Sequence, residues 1–288
     1  MARSILHTIE QRMTSFSKGQ KRIARYILDN YDKAAFMTAS RLGGLVEVSE
    51  STVVRFASEL GYDGYPGMQR ALQEMIRSRL TSTQRIQAAR ERLAQQDLLG
   101  AVVQSDMEKL REMVAQADRK GFDQVVERIR SARHIYIWGA RSSSFIAGYL
   151  NFYMHLLFEN VTLVQANAAG EIFEQLLHIG AGDVMIAISF PRYSKITVNT
   201  AQFARDRGAA IVAITDSERS PIYQISDASL LAPCEMISFV DSMVAPLSLL
   251  NALLIALAYQ MKANVSETFA ELEDIWNAYG VFGKVDDE

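Results

Sequence analysis

The chain has 288 residues, 49% of them hydrophobic and 22% charged, enough for two domains around separate cores. Its net charge of −3 hides a split: residues 1–95 carry +6 and residues 96–288 carry −9, as in a nucleic-acid-binding module joined to a different one, though solvated helix faces produce the same bias. Cys234 is the single cysteine and His7, His134, His155 and His178 are scattered, which excludes an internal disulfide and any multi-cysteine or closely paired histidine metal site. A buried, inert thiol, a reducing cytoplasm, no cofactor and no secretion signal are expected.

In chain order, Lys18 to Asn30 has helical periodicity through Ile23, Tyr26, Ile27 and the following Tyr31, with Ser17 as N-cap. A short helix is predicted over Thr38 to Leu45, capped by Thr38, with Ala39, Leu42 and Leu45 facing inward. A turn at Val46 to Val48 leads to a third helix over Ser49 to Leu60, capped by Ser49 and stopped by Gly61. Two helices and a tight turn make a helix-turn-helix. In the third helix Val53, Phe56, Ala57 and Leu60 form the buried stripe, so Glu50, Ser51, Thr52 and Arg55 stand outside, where such a helix enters the major groove of DNA. A small helical dimerisation domain with Arg55 as an ordinary surface charge is the competing reading.

The run from Ser49 to Tyr65, SESTVVRFASELGYDGY, resembles the N-terminal helix-turn-helix of the RpiR/HexR family of bacterial transcription regulators in its Ser, Thr-Val, Arg-Phe, Leu-Gly-aromatic and Gly-Tyr series. The resemblance reaches back through Phe16 and forward to Ile76. It implies a DNA-binding domain over residues 1–77, with Ser49, Glu50, Ser51, Thr52 and Arg55 at double-stranded operator DNA.

Arg77 to Gln96 is polar and reads as a solvated linker that turns helical, and Leu98 to Ala117 is amphipathic through Val102, Met107, Leu110 and Val114. The domain junction is expected within a helical linker over residues 78–120.

From His134 onward, short β-rich runs alternate with helical stretches. Strands are expected at His134 to Trp138, Val161 to Val164, Asp183 to Ile188, Ala210 to Ile214 and Ala228 to Leu231. Apolar strands separated by helices point to a doubly wound five-stranded parallel sheet, whose ligands sit at the strands' carboxyl ends. There two loops concentrate polar residues: Gly139-Ala140-Arg141-Ser142-Ser143-Ser144 after the first strand, and Ser189 to Ser194 after the third. Both feed helix N-termini, which suits an anion such as phosphate, with Arg141 and Arg192 adding charge. Simple N-caps would use the same serines.

Residues 122 to 261 resemble the sugar isomerase (SIS) domain, a flavodoxin-like α/β fold that binds phosphosugars and serves as effector domain in RpiR-type regulators. Its loops usually read Gly-x-Gly-x-Ser or Gly-x-Gly-Ser-Ser, and Ser-x-Ser-Gly-x-Thr. The chain matches at Gly139, Ser142, Ser143, Ser189 and, conservatively, Ser194, with Thr197 following in the helix. Arg141 and Arg192 stand where glycines are expected and Pro191 where the second serine is, so the backbone is expected to hold the ligand differently. The resemblance implies an effector domain over 121–262, a C-terminal helical tail over 263–288, an anionic effector of phosphosugar type, and a homodimer or homotetramer. A non-phosphorylated acid stays open at this point.

Ser242 to Met261 is twenty residues without a charge, but Pro246, Ser248, Asn251 and Gln260 interrupt it and no Lys or Arg cluster flanks it, so a core or subunit-contact helix is expected, not a membrane span. A sugar-phosphate isomerase would need a general base, and Glu171, Glu174 and His178 are the nearby candidates. They fall on one expected helix, where exposed charges are ordinary, so catalysis is not expected. A sugar-phosphate sensor without a DNA target is the third reading, and it leaves Arg55 idle.

Overall fold

Residues 5–77, 81–93, 97–165, 168–234 and 238–282 are described by the computed structural model. They fall into two units, residues 1–104 with 236–241 and residues 105–235 with 242–288.

The first unit is helical: α1 (Ile5–Arg12), α2 (Lys18–Asp29), α3 (Tyr31–Ala34), α4 (Ala39–Leu45), α5 (Glu50–Glu59), α6 (Gly64–Arg77) and α7 (Ser82–Leu93). Its core joins Ile9, Ile23, Ile27, Leu42, Phe56, Met68 and Leu72. Ser17 and Gln20 cap α2 reciprocally, each bonding the other's backbone N–H, and Thr38 caps α4 through the Arg41 N–H. On α4 the inward face is Ala39, Leu42, Gly43 and, at the cap, Val46; Leu45, expected inside, is exposed. At 100° per residue Val46 continues the Ala39–Leu42 stripe and Leu45 falls well off it. After α5, Gly61 takes a left-handed φ of 92° and the chain turns into α6. There the Tyr65 hydroxyl donates to Met37 O at 2.8 Å, and burial pushes this phenol up to about 12.

Two linker expectations change. Arg85, read as part of a solvated face, is buried and ion-paired with Asp241, 156 positions along the chain. Helix α8 (Leu98–Gln116), within which the two units divide, buries only Ser105, while Met107 and Val114 of its expected inner stripe are exposed.

The second unit continues with α9 (Arg119–Arg130), β1 (Ile135–Gly139), α10 (Ser143–Met154), β2 (Val161–Leu163), α11 (Ala169–Gln175), β3 (Val184–Ile188), α12 (Lys195–Asp206), β4 (Ala210–Thr215), β5 (Ala228–Leu231), α13 (Val244–Gln260) and α14 (Lys262–Tyr279). The sheet is parallel throughout, in the order β2-β1-β3-β4-β5. Burial on both faces explains the unbroken apolar runs in β1 and β3. Ile135, Ile137, Val184, Ile186 and Ile188 pack toward α9, α10 and α13; the alternating Tyr136, Trp138, Met185 and Ala187 pack toward α11 and α12.

At the amino end of β3, Asp183 takes both forks of Arg133 at 2.8 Å and the Gly180 N–H at 2.9 Å. Burial alone would push its carboxyl up; the Arg133 hydrogen bonds, the Gly180 amide and the Arg133 charge together hold it below its ordinary value. Cys234 is buried, with its Sγ donating to Ser242 O. No described helix is long and apolar enough to cross a membrane.

Candidate functional site

Two surfaces concentrate the predicted residues, one in each unit. In the first, α4 and α5 meet across Val46 to Val48. Gly43 makes this approach possible, since a Cβ there would lie 2.8 Å from Val48 O. Glu47 occupies the left-handed region (φ 52°) and is held by Arg22, which donates to its carbonyl at 2.7 Å and to its carboxylate at 3.1 Å. Val53, Phe56, Ala57 and Leu60 are buried, with the Phe56 ring 5.1 Å from Phe16. Glu50, Ser51 and Arg55 are exposed and Thr52 is half-buried.

The Ser49 hydroxyl caps α5 by accepting the Thr52 N–H at 3.3 Å and lies 2.9 Å from both the Ser51 and the Thr52 hydroxyls. Ser49 therefore anchors the helix start, while Arg55, whose Nε reaches Ser51 O at 3.3 Å, carries the cationic group of the outer face. Two features of this surface were passed over in the sequence. Val54 is exposed on the outer face of α5, as its place between Val53 and Arg55 on a helical wheel requires. Lys18 is exposed on the first turn of α2, where the neighbouring Gly19 packs against Val48 and Thr52.

In the second unit, α10 leaves β1 toward one face of the sheet and α12 leaves β3 toward the other, although β1 and β3 are neighbours. The crevice between their carboxyl ends is the switch point at which doubly wound sheets bind ligands. Gly139 closes β1; a Cβ there would lie 2.6 Å from Ser143 O, so α10 begins hard against the strand. Arg141 is exposed with φ 58°, and the Ser144 hydroxyl, not singled out in the sequence, donates to its carbonyl at 2.6 Å. Ser142 is exposed and its hydroxyl makes no cap bond; Ser143 is buried.

Across the crevice, Ser189 extends the ladder through its N–H to Ile214 O at 3.0 Å, and its carbonyl accepts the Thr215 hydroxyl at 2.7 Å. Arg192 is exposed with φ 69°, and the Tyr193 hydroxyl donates to Asp216 at 2.9 Å. Both arginines thus adopt the left-handed backbone conformation that favours glycine. Left-handed backbone costs an L-residue about 1 to 2 kcal/mol and persists where surrounding contacts enforce it. Ser194 precedes α12 without a side-chain cap bond.

The hydroxyls of Ser189 and Thr197 are buried without a hydrogen-bond partner, and so are the Thr200 hydroxyl and the Trp138 indole N–H. All four lie on residues of the α12 side of the sheet, and each such group costs about 1 to 3 kcal/mol. Neither Trp138 nor Thr200 was singled out in the sequence as a polar group, Trp138 being read only as the end of a strand.

The isomerase candidates do not converge. The Glu171 carboxylate accepts the Ala168 N–H at the start of α11, while Glu174 and His178 are exposed. Among the described residues no cluster suits a metal ion. A separate cavity of about 610 Å³ lies against β5, walled by Phe122, Tyr223, Leu230, Leu231 and Leu249, and none of the predicted site residues lines it.

A helix-turn-helix unit joined to a doubly wound α/β unit is the two-part build of a transcription regulator. Residues 3–79 match the helix-turn-helix domain of the rpiR family and residues 128–256 match the SIS domain. The chain belongs to the RpiR family of transcriptional regulators. It is 28% identical over 238 residues to an HTH-type transcriptional regulator of Haemophilus influenzae, covering 79% of this chain and 80% of the relative. With HexR of Pseudomonas aeruginosa it shares 25% over 232 residues, 80% of this chain and 79% of HexR. Among solved structures, Vibrio vulnificus NanR complexed with ManNAc-6P matches 96% of this chain and 98% of its own at 22% identity and a TM-score of 0.59. The sugar isomerase domain of an RpiR transcription factor from Sphaerobacter thermophilus matches 62% of this chain and 99% of its own at 26% identity, also with a TM-score of 0.59.

Proposed function

We propose that this regulator is a cytoplasmic, non-enzymatic homodimer that reads operator DNA through α5 and responds to a small phosphosugar bound at the β1–β3 crevice. The observation that carries the effector assignment is the pairing of two left-handed arginines, Arg141 and Arg192, with the orphaned Ser189 and Thr197 hydroxyls at the carboxyl ends of neighbouring strands. Guanidinium forks bind a phosphate bidentately. The hydroxyls of Ser142, Ser189, Ser194 and Thr197 supply hydrogen bonds to the phosphate or the sugar, and Gly139 and Ser143 seat α10 so that its N-terminal amides face the anion. The phosphosugar in NanR, a protein of the same fold, supports this class of ligand.

On DNA, Arg55 contacts a base edge, Ser51 and Thr52 reach bases or phosphates, and Glu50 discriminates against cytosine-poor edges at the helix start. Ser49 holds the helix start in place, and Lys18 adds a phosphate contact. Paired subunits set half-sites about 34 Å or a multiple apart. An effector that prefers one placement of the reading heads by about 1 to 3 kcal/mol changes operator affinity 5- to 150-fold. The engagement of Glu171 as a helix cap and the exposure of Glu174 and His178 argue against an isomerase.

The test is the double substitution Ser142→Ala with Ser189→Ala. Operator binding is expected to persist and its response to N-acetylmannosamine 6-phosphate or another phosphosugar that shifts the wild-type melting temperature to disappear. Apo stability is expected to hold or rise, because Ser189→Ala removes an unpaired buried hydroxyl. An intact response would remove the crevice as the site.

A further inference from the structure

The cavity against β5 is separate from the crevice between β1 and β3, because β4 stands between β3 and β5 in the sheet. β5 is an edge strand, so no further strand closes its outer side. The C-terminal end of α8, the start of α9 and the first half of α13 wall the space instead. Its volume of about 610 Å³ falls within the roughly 300 to 1,000 Å³ of small-molecule sites.

The lining has an apolar part and an acidic part. Met113, Val114, Phe122, Leu230, Leu231 and Leu249 make the walls apolar, and Tyr223 adds a second aromatic ring to that of Phe122. The charged groups of the lining are the carboxylates of Asp118, Asp123 and Glu218 against the single guanidinium of Arg119. Asp118 caps α9 by accepting the Gly121 N–H at 3.0 Å, while Asp123 and Glu218 are exposed. The cavity also gives the apolar end of α8 something to face. Val114 is 67% exposed, and it lines this space with Met113 although the protein core does not cover it.

This lining selects a ligand by two criteria. Three carboxylates repel an anion, which sets the cavity apart from the arginine-bearing crevice, and a bare sugar has too little apolar surface to cover the walls. A cation on an apolar body meets both criteria: the carboxylates and the faces of Phe122 and Tyr223 attract its charge, while its body buries Val114, Leu231 and Leu249. We propose that this cavity is a second ligand site of the α/β unit, for an organic cation with an apolar body, of the alkylamine, arylamine or quaternary ammonium class. The proposal does not depend on the crevice reading, since cation binding is measured without phosphosugar or DNA. The two units divide within α8, so an occupant here grips the helix that leads back to the reading head.

Calorimetry on the full-length protein at fixed salt tests this, with hexyltrimethylammonium as the probe and hexanoate, of equal chain length and opposite charge, as the comparison. Hexyltrimethylammonium is expected to bind saturably, one per chain, and hexanoate is expected not to bind. Phe122→Leu keeps an apolar side chain and removes the ring; Asp123→Asn combined with Glu218→Gln removes two charges. Each variant is expected to weaken cation binding about 2- to 30-fold. Glu174→Gln, exposed on α11 and outside the cavity, is expected to bind as the wild type does. The carboxylate variant lies on the surface and keeps the test valid should Phe122→Leu misfold. Absence of saturable cation binding, equal binding of hexanoate, unchanged affinity in either folded variant, or an equal loss in Glu174→Gln would overturn the proposal.

Discussion

At the scale of single residues, the most informative feature is a pair of arginines on a glycine's backbone. At position 192, Gly relieves about 1 to 2 kcal/mol of left-handed strain while adding about 0.4 to 1 kcal/mol of unfolded-chain entropy, a net gain on the order of 1 kcal/mol. Alanine keeps the strain. Arg192→Gly is therefore expected to be about 1 kcal/mol more stable than Arg192→Ala by thermal melting. Both are expected to bind a phosphosugar about 10- to 150-fold more weakly by calorimetry, since each loses a charged hydrogen bond of about 1.5 to 3 kcal/mol. An alanine variant as stable as the glycine variant would mean that position 192 is not left-handed. None of this was legible in the sequence, because an arginine gives no sign of positive φ; positions 141 and 192 stood out there only as arginines where the SIS pattern has glycine.

At the scale of elements, packing distances and one ion pair set the expectations. Gly43→Ala puts a methyl group against Val48 O and wedges α4 from α5. Overpacking of this kind costs about 1 to 3 kcal/mol, so operator affinity is expected to fall about 5- to 150-fold in a mobility-shift titration while phosphosugar binding is unchanged. The α/β unit has its own pH signature. The Asp183 carboxyl is held below its ordinary value, so its stabilisation is complete above the ordinary carboxylate range near pH 4 and is lost as pH falls through the depressed folded value. Asp183→Asn is expected to cost about 1 to 3 kcal/mol at pH 7, the partly exposed Arg133 limiting the loss, and to flatten the acid limb of the stability curve followed by circular dichroism. The strands, α2, α4 and α5 were legible because their periodicity and caps are local: Ser17, Thr38 and Ser49 each cap the helix they precede. Arg85 was not, because its partner Asp241 is remote in sequence and a polar helix otherwise reads as solvated.

At the scale of the whole molecule, the two recognisable domains account for both charge blocks: the basic third contains the helix-turn-helix and the acidic remainder contains the sheet. Arg55→Ala is expected to weaken specific operator binding by about 1 to 3 kcal/mol per subunit while leaving nonspecific binding nearly unchanged, measured at fixed salt. An equal loss in both would make Arg55 a phosphate contact. The twenty-residue uncharged stretch had two readings in the sequence, core or subunit contact. The helix it forms is core on one side, through Leu250, Leu253 and Leu257, while Ile255 and Tyr259 face outward on the other.

The loop after β3 has a bearing on time as well as on affinity. Thr215 holds the Ser189 carbonyl and Asp216 holds the Tyr193 hydroxyl, one on each side of Arg192, so the strained turn is braced at both ends before any ligand arrives. A binding loop already in its final shape spends little of its interaction energy on ordering. Under the proposed effector role of this loop, competing metabolites enter at similar speeds and are told apart by how long they stay, so that the regulator's memory of its signal is a property of ligand residence time.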